Sequence, residues 1–520
     1  MVEFTMDSPA IHPLQNALTP SPDWAVEQLT ALQAKVDRLD AELKLRDLKI
    51  QALVLELAHH RRMRFLSKSE SMAGDQRVLF DETRDEDDAA ITAEIEKQQT
   101  SKPKTIYKRT GRRALPADLP RIEHRHEPDT CACGACGKDL VLIGEDVAEQ
   151  LDCEPTRFFV HRHIRPQYAC RQCETVSAAE VSPAIIDGGL AAPGLLAWVL
   201  IQKYVDHLPL YRIEQISDRA GLAIPKSTLG SWVGQVGVQL EPLVDRMREL
   251  LLQGNVLHAD ETPVQQLDPG KGKTKKAYLW AYRSNDLGTG PPMVVFDYQI
   301  SRAGEHARNF LQGWHGHLMV DDFGGYKKLF ESDVVELGCL AHARRKFFEL
   351  WKANQHPEAE EALRRIQLLY KIESEARELD VAARQQMREQ HAKPVLTEMF
   401  DWLMELRQRT ATGSGMAKAI DYSLKRWSAL VRYAERGDLP IDNNPVENVI
   451  RPIALGRKNW LFTGSERAGK RAAMVQSLIA TAKLNGIEPY ALLNDVLEKL
   501  PAWPNSRIDE LLPLGRPTIN

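Results

Sequence analysis

Three acidic side chains stand where carboxylates can do chemistry. Asp260 follows the apolar start of "VLHADETPVQQL", Asp321 follows the apolar end of "HLMV" in "HLMVDDFGGYKKL", and Glu447 lies in "LPIDNNPVENVIRPIALGRKNW". Three carboxylates suit Mg2+, a hard ion that takes oxygen ligands and keeps several waters. Two such ions about 4 Å apart activate an attacking oxygen and stabilise a leaving one in an in-line phosphoryl displacement, so no covalent protein nucleophile is needed. Glu261 and Asp322 adjoin the first two acids, but adjacent strand residues point to opposite faces, which makes them second choices.

The elements that must position these groups are legible as a series. "VLHADETPVQQL", "KKAYLWAYRS" and "PPMVVFDYQI" read as three strands, "RAGEHARNFLQGW" as a helix, and the run before Asp321 as a fourth strand. That order is a ribonuclease H-like arrangement, whose first and fourth strands are neighbours. The separation of Asp260 and Asp321, 61 positions (321 − 260), suits the elements between them. A fifth strand runs into a helix in "VVELGCLAHARRKFFEL". We expect a catalytic core in two parts, 251–348 and 439–500, split by a helical insertion over 349–438 and followed by a tail over 501–520.

Glu447 also has a plainer reading. Asn444, Pro445, Val446 and Glu447 fit the N-cap, N1, N2 and N3 positions of a helix, which would make Glu447 the acid of a capping box. Arg451, one turn on, would then be its ion-pair partner. The company of two strand-end aspartates, and of the basic residues Arg457, Lys458, Arg467, Lys470 and Arg471, favours a carboxylate cluster beside a phosphate-binding surface. With Arg451, these cations are the candidate DNA contacts.

Six of the seven cysteines fall between residues 131 and 173. Cys133 with Cys136, and Cys170 with Cys173, form two C-x2-C knuckles whose four thiolates can converge on a structural Zn2+. "VAEQLDCEP" and "RFFVHRHIRPQYAC" alternate like hairpin strands between them, giving a zinc ribbon over 121–180. Cys131 and Cys153 are weaker candidates, and His161 and His163 are expected to be surface residues rather than ligands. Cys339 and His342 make a C-x2-H pair near the core, read as packing, with zinc as the alternative.

Apolar residues recur in steps of three and four at Leu29, Leu32, Val36, Leu39, Leu43, Ile50, Leu53 and Leu57, with only Arg46 interrupting. This predicts a coiled-coil helix over 24–64 and hence self-association. Residues 65–120 read as a disordered linker with an acidic run, "DETRDEDD", and a basic one, "SKPKTIYKRTGRR". Over 190–250 the helical segments and the turn at "GLAIP" suit either a DNA-binding helix-turn-helix or an ordinary helical packing unit. The 520 residues are 43% apolar, enough for several cores. No apolar run reaches membrane-span length, so the expected location is the cytoplasm, on the nucleoid when DNA is bound. The net charge of −4 decides nothing, because opposite charges are segregated along the chain.

The expected fold class is therefore multidomain α+β: a coiled coil, a zinc ribbon, a helix-turn-helix-like segment, and a ribonuclease H-like α/β catalytic domain with a helical insertion. "HADETPVQ", "GCLAHARRKF", "DNNPVENVIRPIALGRKNWLFTGS" and "LIATAKLNGIEPYALL" together resemble the transposases of insertion sequence 66, mobile-element enzymes of the DDE class. The likeness extends through "RFLSKSE", "IGEDVAEQLDCEP", "RHIRPQYACRQC" and "KYVDHLPLYR". It implies a catalytic triad that maps to Asp260, Asp321 and Glu447, with Mg2+ or Mn2+ as cofactor. Where that family has Asp-Gly-Tyr, this chain has Asp321, Asp322 and Phe323; counting back from Tyr326 selects Asp321 and leaves Asp322 as the alternative. The resemblance also implies DNA transposition by strand cleavage and strand transfer, recognition of terminal inverted repeats and target DNA, and small accessory proteins of the same element. The rival readings are an inactive, transposase-derived, zinc-containing DNA-binding regulator and a ribonuclease H-like nuclease without strand transfer.

Overall fold

The computed structural model describes residues 22–65, 89–95, 115, 117, 119–127, 141–154, 157–268 and 273–515. Helix α1 (Pro22–Phe65) is 44 residues long. Leu29, Leu32, Val36, Leu39, Leu43, Ile50 and Leu53 are all exposed along it, so among the described residues the apolar seam is uncovered, although Leu48 beside it is buried. The side chain of Leu57 lies outside the described residues. A short helix α2 (residues 89–95) follows, with Ala90 and Ile91 buried and Glu94 paired to Arg467 at 2.5 Å. This corrects the expectation of an unstructured linker throughout 65–120: an alanine- and isoleucine-bearing turn finds apolar cover against the folded body.

The ribbon consists of β1 (Arg121–Arg125), β2 (Val141–Glu154), β3 (Arg157–Ala169) and β4 (Val176–Ala178). β3 is central, pairing parallel to β1 and antiparallel to β2 and β4. Four helices come next: α3 (Pro193–Tyr204), α4 (Leu210–Arg219), α5 (Lys226–Gln239) and α6 (Glu241–Leu251). α4 and α5 have the order of a helix-turn-helix. Yet Leu229, Trp232, Val233 and Val236 of α5 are buried in the main core and Val238 packs against Ala90 and Ala93, which leaves chiefly its first turn facing solvent.

The central sheet is built from β5 (Val256–Asp268), β6 (Lys273–Ser284), β7 (Val294–Gln299), β8 (Gly316–Val320) and β9 (Val334–Gly338), with α7 (Glu305–Phe310) between β7 and β8. Its order is β7-β6-β5-β8-β9, antiparallel among the first three and parallel from β5 to β9. This is the ribonuclease H-like order, with the first and fourth strands side by side.

α8 (Leu340–Asn354) leads from β9 into the insertion, which continues through α9 (Pro357–Glu375), α10 (Val381–Met387), α11 (Lys393–Arg409), α12 (Gly415–Lys425) and α13 (Trp427–Val431). α10 passes into α11 through a π-helical turn, Arg388–Ala392. Within it the buried Arg388 grips Glu373 at 2.6 Å and the carbonyls of Tyr433 and Arg436. α8, α9, α11, α12 and α13 share one apolar core with Met319 and Leu337 of the sheet. Arg426 fastens them to the core by pairing with Asp322 (2.9 Å) and Glu336 (2.5 Å).

The chain returns in α14 (Asn444–Trp460), α15 (Glu466–Leu484) and α16 (Pro489–Lys499). α14 packs Val446, Ile450 and Ile453 against Val264, Leu279 and Phe296 of the sheet. α15 covers edge strand β7: Ser477 accepts the Phe296 N–H at 2.8 Å and Thr481 accepts that of Val294 at 3.0 Å. Hydroxyls thereby satisfy a strand edge that would otherwise expose unpaired donors. Among the described residues, no helix is long and apolar enough to cross a membrane.

Candidate active site

The β5–β8 register decides how the two aspartates stand. His258 pairs with Met319, and carrying the same offset two residues further sets Asp260 opposite Asp321. Asp321 accepts the Phe323 N–H at 2.8 Å, which fixes the loop leaving β8. Asp322 is exposed and turned to Arg426 of the insertion.

Glu447 reaches the same place from α14. Asn443 precedes that helix and is fully buried, with its Nδ2 donating to the Ala259 carbonyl at 2.9 Å and its Oδ1 meeting His258 Nδ1 at 3.0 Å. The helix start is thus tied to the residue before Asp260. The capping-box reading of Glu447 fails here, because Asp442 does that work: it accepts from the Asn444 backbone N–H at 3.1 Å and from Asn444 Nδ2 at 2.7 Å. Glu447 instead faces His342 Nδ1 at 3.7 Å and Arg345 at 3.8 Å, rather than Arg451.

Electrostatics report the clustering of the acids. Burial first, then the charges of Glu261, Asp321 and Glu447, push the Asp260 carboxyl up to about 8. Glu261 is itself raised by burial, but Arg302 (2.7 Å) and Tyr326 Oη (2.9 Å) hold it as a hydrogen-bonded acid outside the open site. The Arg302 guanidinium lies 3.8 Å over the Phe323 ring, so the same contact steadies the Asp321 loop. Gly304 and Gly325 let the two loops meet, since a Cβ on Gly304 would collide with the Gly325 carbonyl. A cavity of ≈ 420 Å³ opens beside the acids, lined by Arg302, Asp321, His342, Arg345, Lys346 and others.

The six candidate DNA contacts divide. Arg451 and Lys458 are exposed on α14, and Lys470 is exposed but paired to Glu466 at 2.8 Å. The other three depart from the expectation: Arg457 donates to the Pro263 carbonyl (2.6 Å), Arg467 pairs with Glu94 (2.5 Å), and Arg471 is buried against Gly237. These cations knit the fold together.

In the ribbon, Cys131, Cys133 and Cys136 lie outside the described residues. Cys170 and Cys173 form a tight knuckle, in which the Cys170 N–H donates to Thr175 O and the Glu174 N–H to Cys170 O, both at 2.9 Å. Cys153 is turned away into the core, its sulfur 3.8 Å from Gly194 O. His161 and His163 are not simple surface residues: His161 bridges His124 (2.7 Å) and Asp152 (2.7 Å), and His163 bridges His126 (3.0 Å) and Gln150 (3.2 Å). The pairing of β1 with β3, hidden in the sequence by the distance between them, creates this ladder. Asn443 and His258 were likewise missed. Both are ordinary polar residues until the fold buries them together.

Comparison with known proteins agrees with this geometry. The profile of the Transposase IS66 family matches residues 188–471, more than half of the chain. The chain belongs to this transposase family. The IS66 C-terminal element matches 477–514, the zinc-finger binding domain of transposase IS66 matches 130–174, and the Transposase C of IS166 homeodomain matches 52–123. Among relatives, the uncharacterized protein y4qI of Sinorhizobium fredii is 35% identical over 94% of this chain and 93% of its own length. The uncharacterized protein y4jD of the same organism is 38% identical over 77% and 81%.

Proposed function

We propose that this IS66-family transposase is a strand-transfer enzyme in which Asp260, Asp321 and Glu447 are the catalytic carboxylates. The observation that carries the reading is the β5–β8 register, which sets Asp260 opposite Asp321, with the Asp321 and Glu447 charges both acting on the buried Asp260 carboxyl. Uncompensated carboxylates at such a place are costly, and a divalent cation is the group that relieves them. The donor set fits Mg2+ or Mn2+, being all oxygen. When bound, the metal supplies an activated attacking oxygen and charge stabilisation for the leaving one.

The chain's own groups do the rest. Asn443 ties the start of α14, the helix that carries Glu447, to the strand that carries Asp260. Arg302 and Tyr326 hold Glu261 out of the way and keep the Asp321 loop in place. Arg345 and Lys346 on the cavity wall offer positive charge to a phosphodiester backbone. The zinc-finger and α1 regions suit DNA binding and pairing of two chains, as joining two element ends requires.

The test offers the chain a duplex with a recessed terminal-repeat end and a target plasmid, with Mn2+. Joined products that vanish in Asp260→Asn and Glu447→Gln support strand transfer. Cut but unjoined DNA would instead indicate a nuclease, and bound but unaltered DNA a regulator.

A further inference from the structure

Cys339, His342 and Glu447 bring a thiol, an imidazole nitrogen and a carboxylate oxygen within 4.8 Å of one another. Cys339 is fully buried at the N-cap of α8, and His342 follows in the first turn on the same side of the helix. The Asn443 N–H points at the Cys339 sulfur from 3.2 Å, and the His342 backbone N–H is directed there too. Burial pushes the Cys339 thiol well up, and these amides only partly offset it.

Two further atoms lack any partner. His342 Nδ1 and Glu447 Oε1 are buried without hydrogen bonds, yet face each other at 3.7 Å. That separation is too long for a hydrogen bond. It is close to the roughly 3.3–3.6 Å between two ligand atoms on one tetrahedral zinc. Packing accounts for the burial of Cys339 but not for two polar atoms left empty-handed beside it.

We propose that Cys339 Sγ, His342 Nδ1 and Glu447 Oε1 bind a borderline divalent cation of the zinc type, separate from the ribbon. Thiolate and imidazole select against Mg2+ and for zinc-like ions. On binding, the Cys339 thiol gives up its proton to solvent and the sulfur–metal bond forms in its place. The fourth position is left to water, since the Asp442 carboxylate is occupied by Tyr370 and Asn444. His342 also lines the cavity beside Asp321, so an ion can enter from that side. That Glu447 is shared with the catalytic carboxylates rests on the function proposed above; the site itself does not.

The test uses the full chain, stripped of metal and titrated with Co2+, whose thiolate complexes absorb strongly in the near ultraviolet. A thiolate–cobalt band should survive in a Cys170→Ser, Cys173→Ser variant and disappear when Cys339→Ser is added. His342→Asn, at a partly exposed position, should weaken the remaining Co2+ affinity at least about tenfold and guards against misfolding of the cysteine variant. A band unaffected by both Cys339→Ser and His342→Asn, or absent from the ribbon variant, overturns the site. Asp260→Asn separates the two readings. It should abolish DNA joining and leave the Cys339-dependent band unchanged, so failure of either property is visible without the other.

Discussion

Asn443 Nδ2 donates to the carbonyl of Ala259 across 2.9 Å, joining the start of α14 to the strand residue before Asp260. Its Oδ1 takes up Nδ1 of His258, which is fully buried and pushed down to about 4, chiefly by burial. Asn443→Ala leaves two buried polar groups without partners, each costing about 1–3 kcal/mol. The variant should lose at least about 2 kcal/mol of stability in denaturant unfolding. It should also weaken Mn2+ binding by about 10–100-fold, as loss of a supporting contact does. An unchanged Mn2+ titration in a folded Asn443→Ala chain would sever Asn443 from the site.

Asp260 is an acid raised to about 8 by burial and by Glu261, Asp321 and Glu447. Between the ordinary carboxyl range and this value the folded state holds a proton that the unfolded state has released, so stability falls as pH rises through the window. Asp260→Asn removes that dependence. The metal-free variant should melt above the parent at about pH 8, by about 2–4 °C for each kcal/mol relieved, while losing catalysis. Mn2+ should close the gap by stabilising only the parent. Equal melting of both metal-free proteins would contradict the crowding of these carboxylates.

The ribbon histidines titrate with the opposite sign. His163 is pushed down to about 4 by burial first, then by His124, His126, Arg165 and His161, and His124 is lowered by burial, His161 and His126. His163 and His124 protonate near 6.5 when unfolded and only below that when folded, so the stability they add is full above about pH 6.5 and lost as pH falls towards 4. Hydrogen exchange over β1–β3 should accelerate in this window, and His163→Gln should reduce the dependence. Exchange independent of pH after correction for intrinsic rates would remove the ladder's role.

The strand series and its order were legible because alternation and length are local signals, and the offset between Asp260 and Asp321 followed from that order. What escaped was set by partners remote in sequence. For Glu447 the sequence offered a capping acid beside the favoured carboxylate cluster, because N-cap patterns are local, and only the fold reveals Asp442 in the capping place. Arg457, Arg467 and Arg471 looked like a phosphate surface because a basic run says nothing of which guanidinium a carbonyl or a remote acid will claim. α2 was missed because a few apolar residues carry no period long enough to read.

That division of the cations predicts different behaviours. DNA affinity should fall steeply with salt, and each phosphate contact removed should flatten the log–log slope by about one. Arg451→Ala and Lys458→Ala, at exposed positions on α14, should each do so. Arg467→Ala should leave the slope alone and loosen α2 instead, seen as faster proteolysis near residue 94. A slope that changes for Arg467→Ala and not for the exposed pair would reverse the assignment.

The seam on α1 sets the last expectation. Leu32, Leu39, Leu43 and Ile50 are each about half exposed or more along one stripe, and apolar side chains in a repeat of 3.5 residues are buried by a second helix. Leu39→Glu with Leu43→Glu places charges in that interface, where transfer of an unpaired carboxylate costs several kcal/mol. Sedimentation should then show a monomer in place of a dimer or larger assembly. The catalytic domain should stay folded, since both side chains are about half exposed, so thermal unfolding of the body is unchanged. Joining of two ends to one target should drop because both ends must be held at once, while single-end cleavage persists. A variant that sediments like the parent would mean that the chains associate elsewhere and that the stripe serves another partner helix.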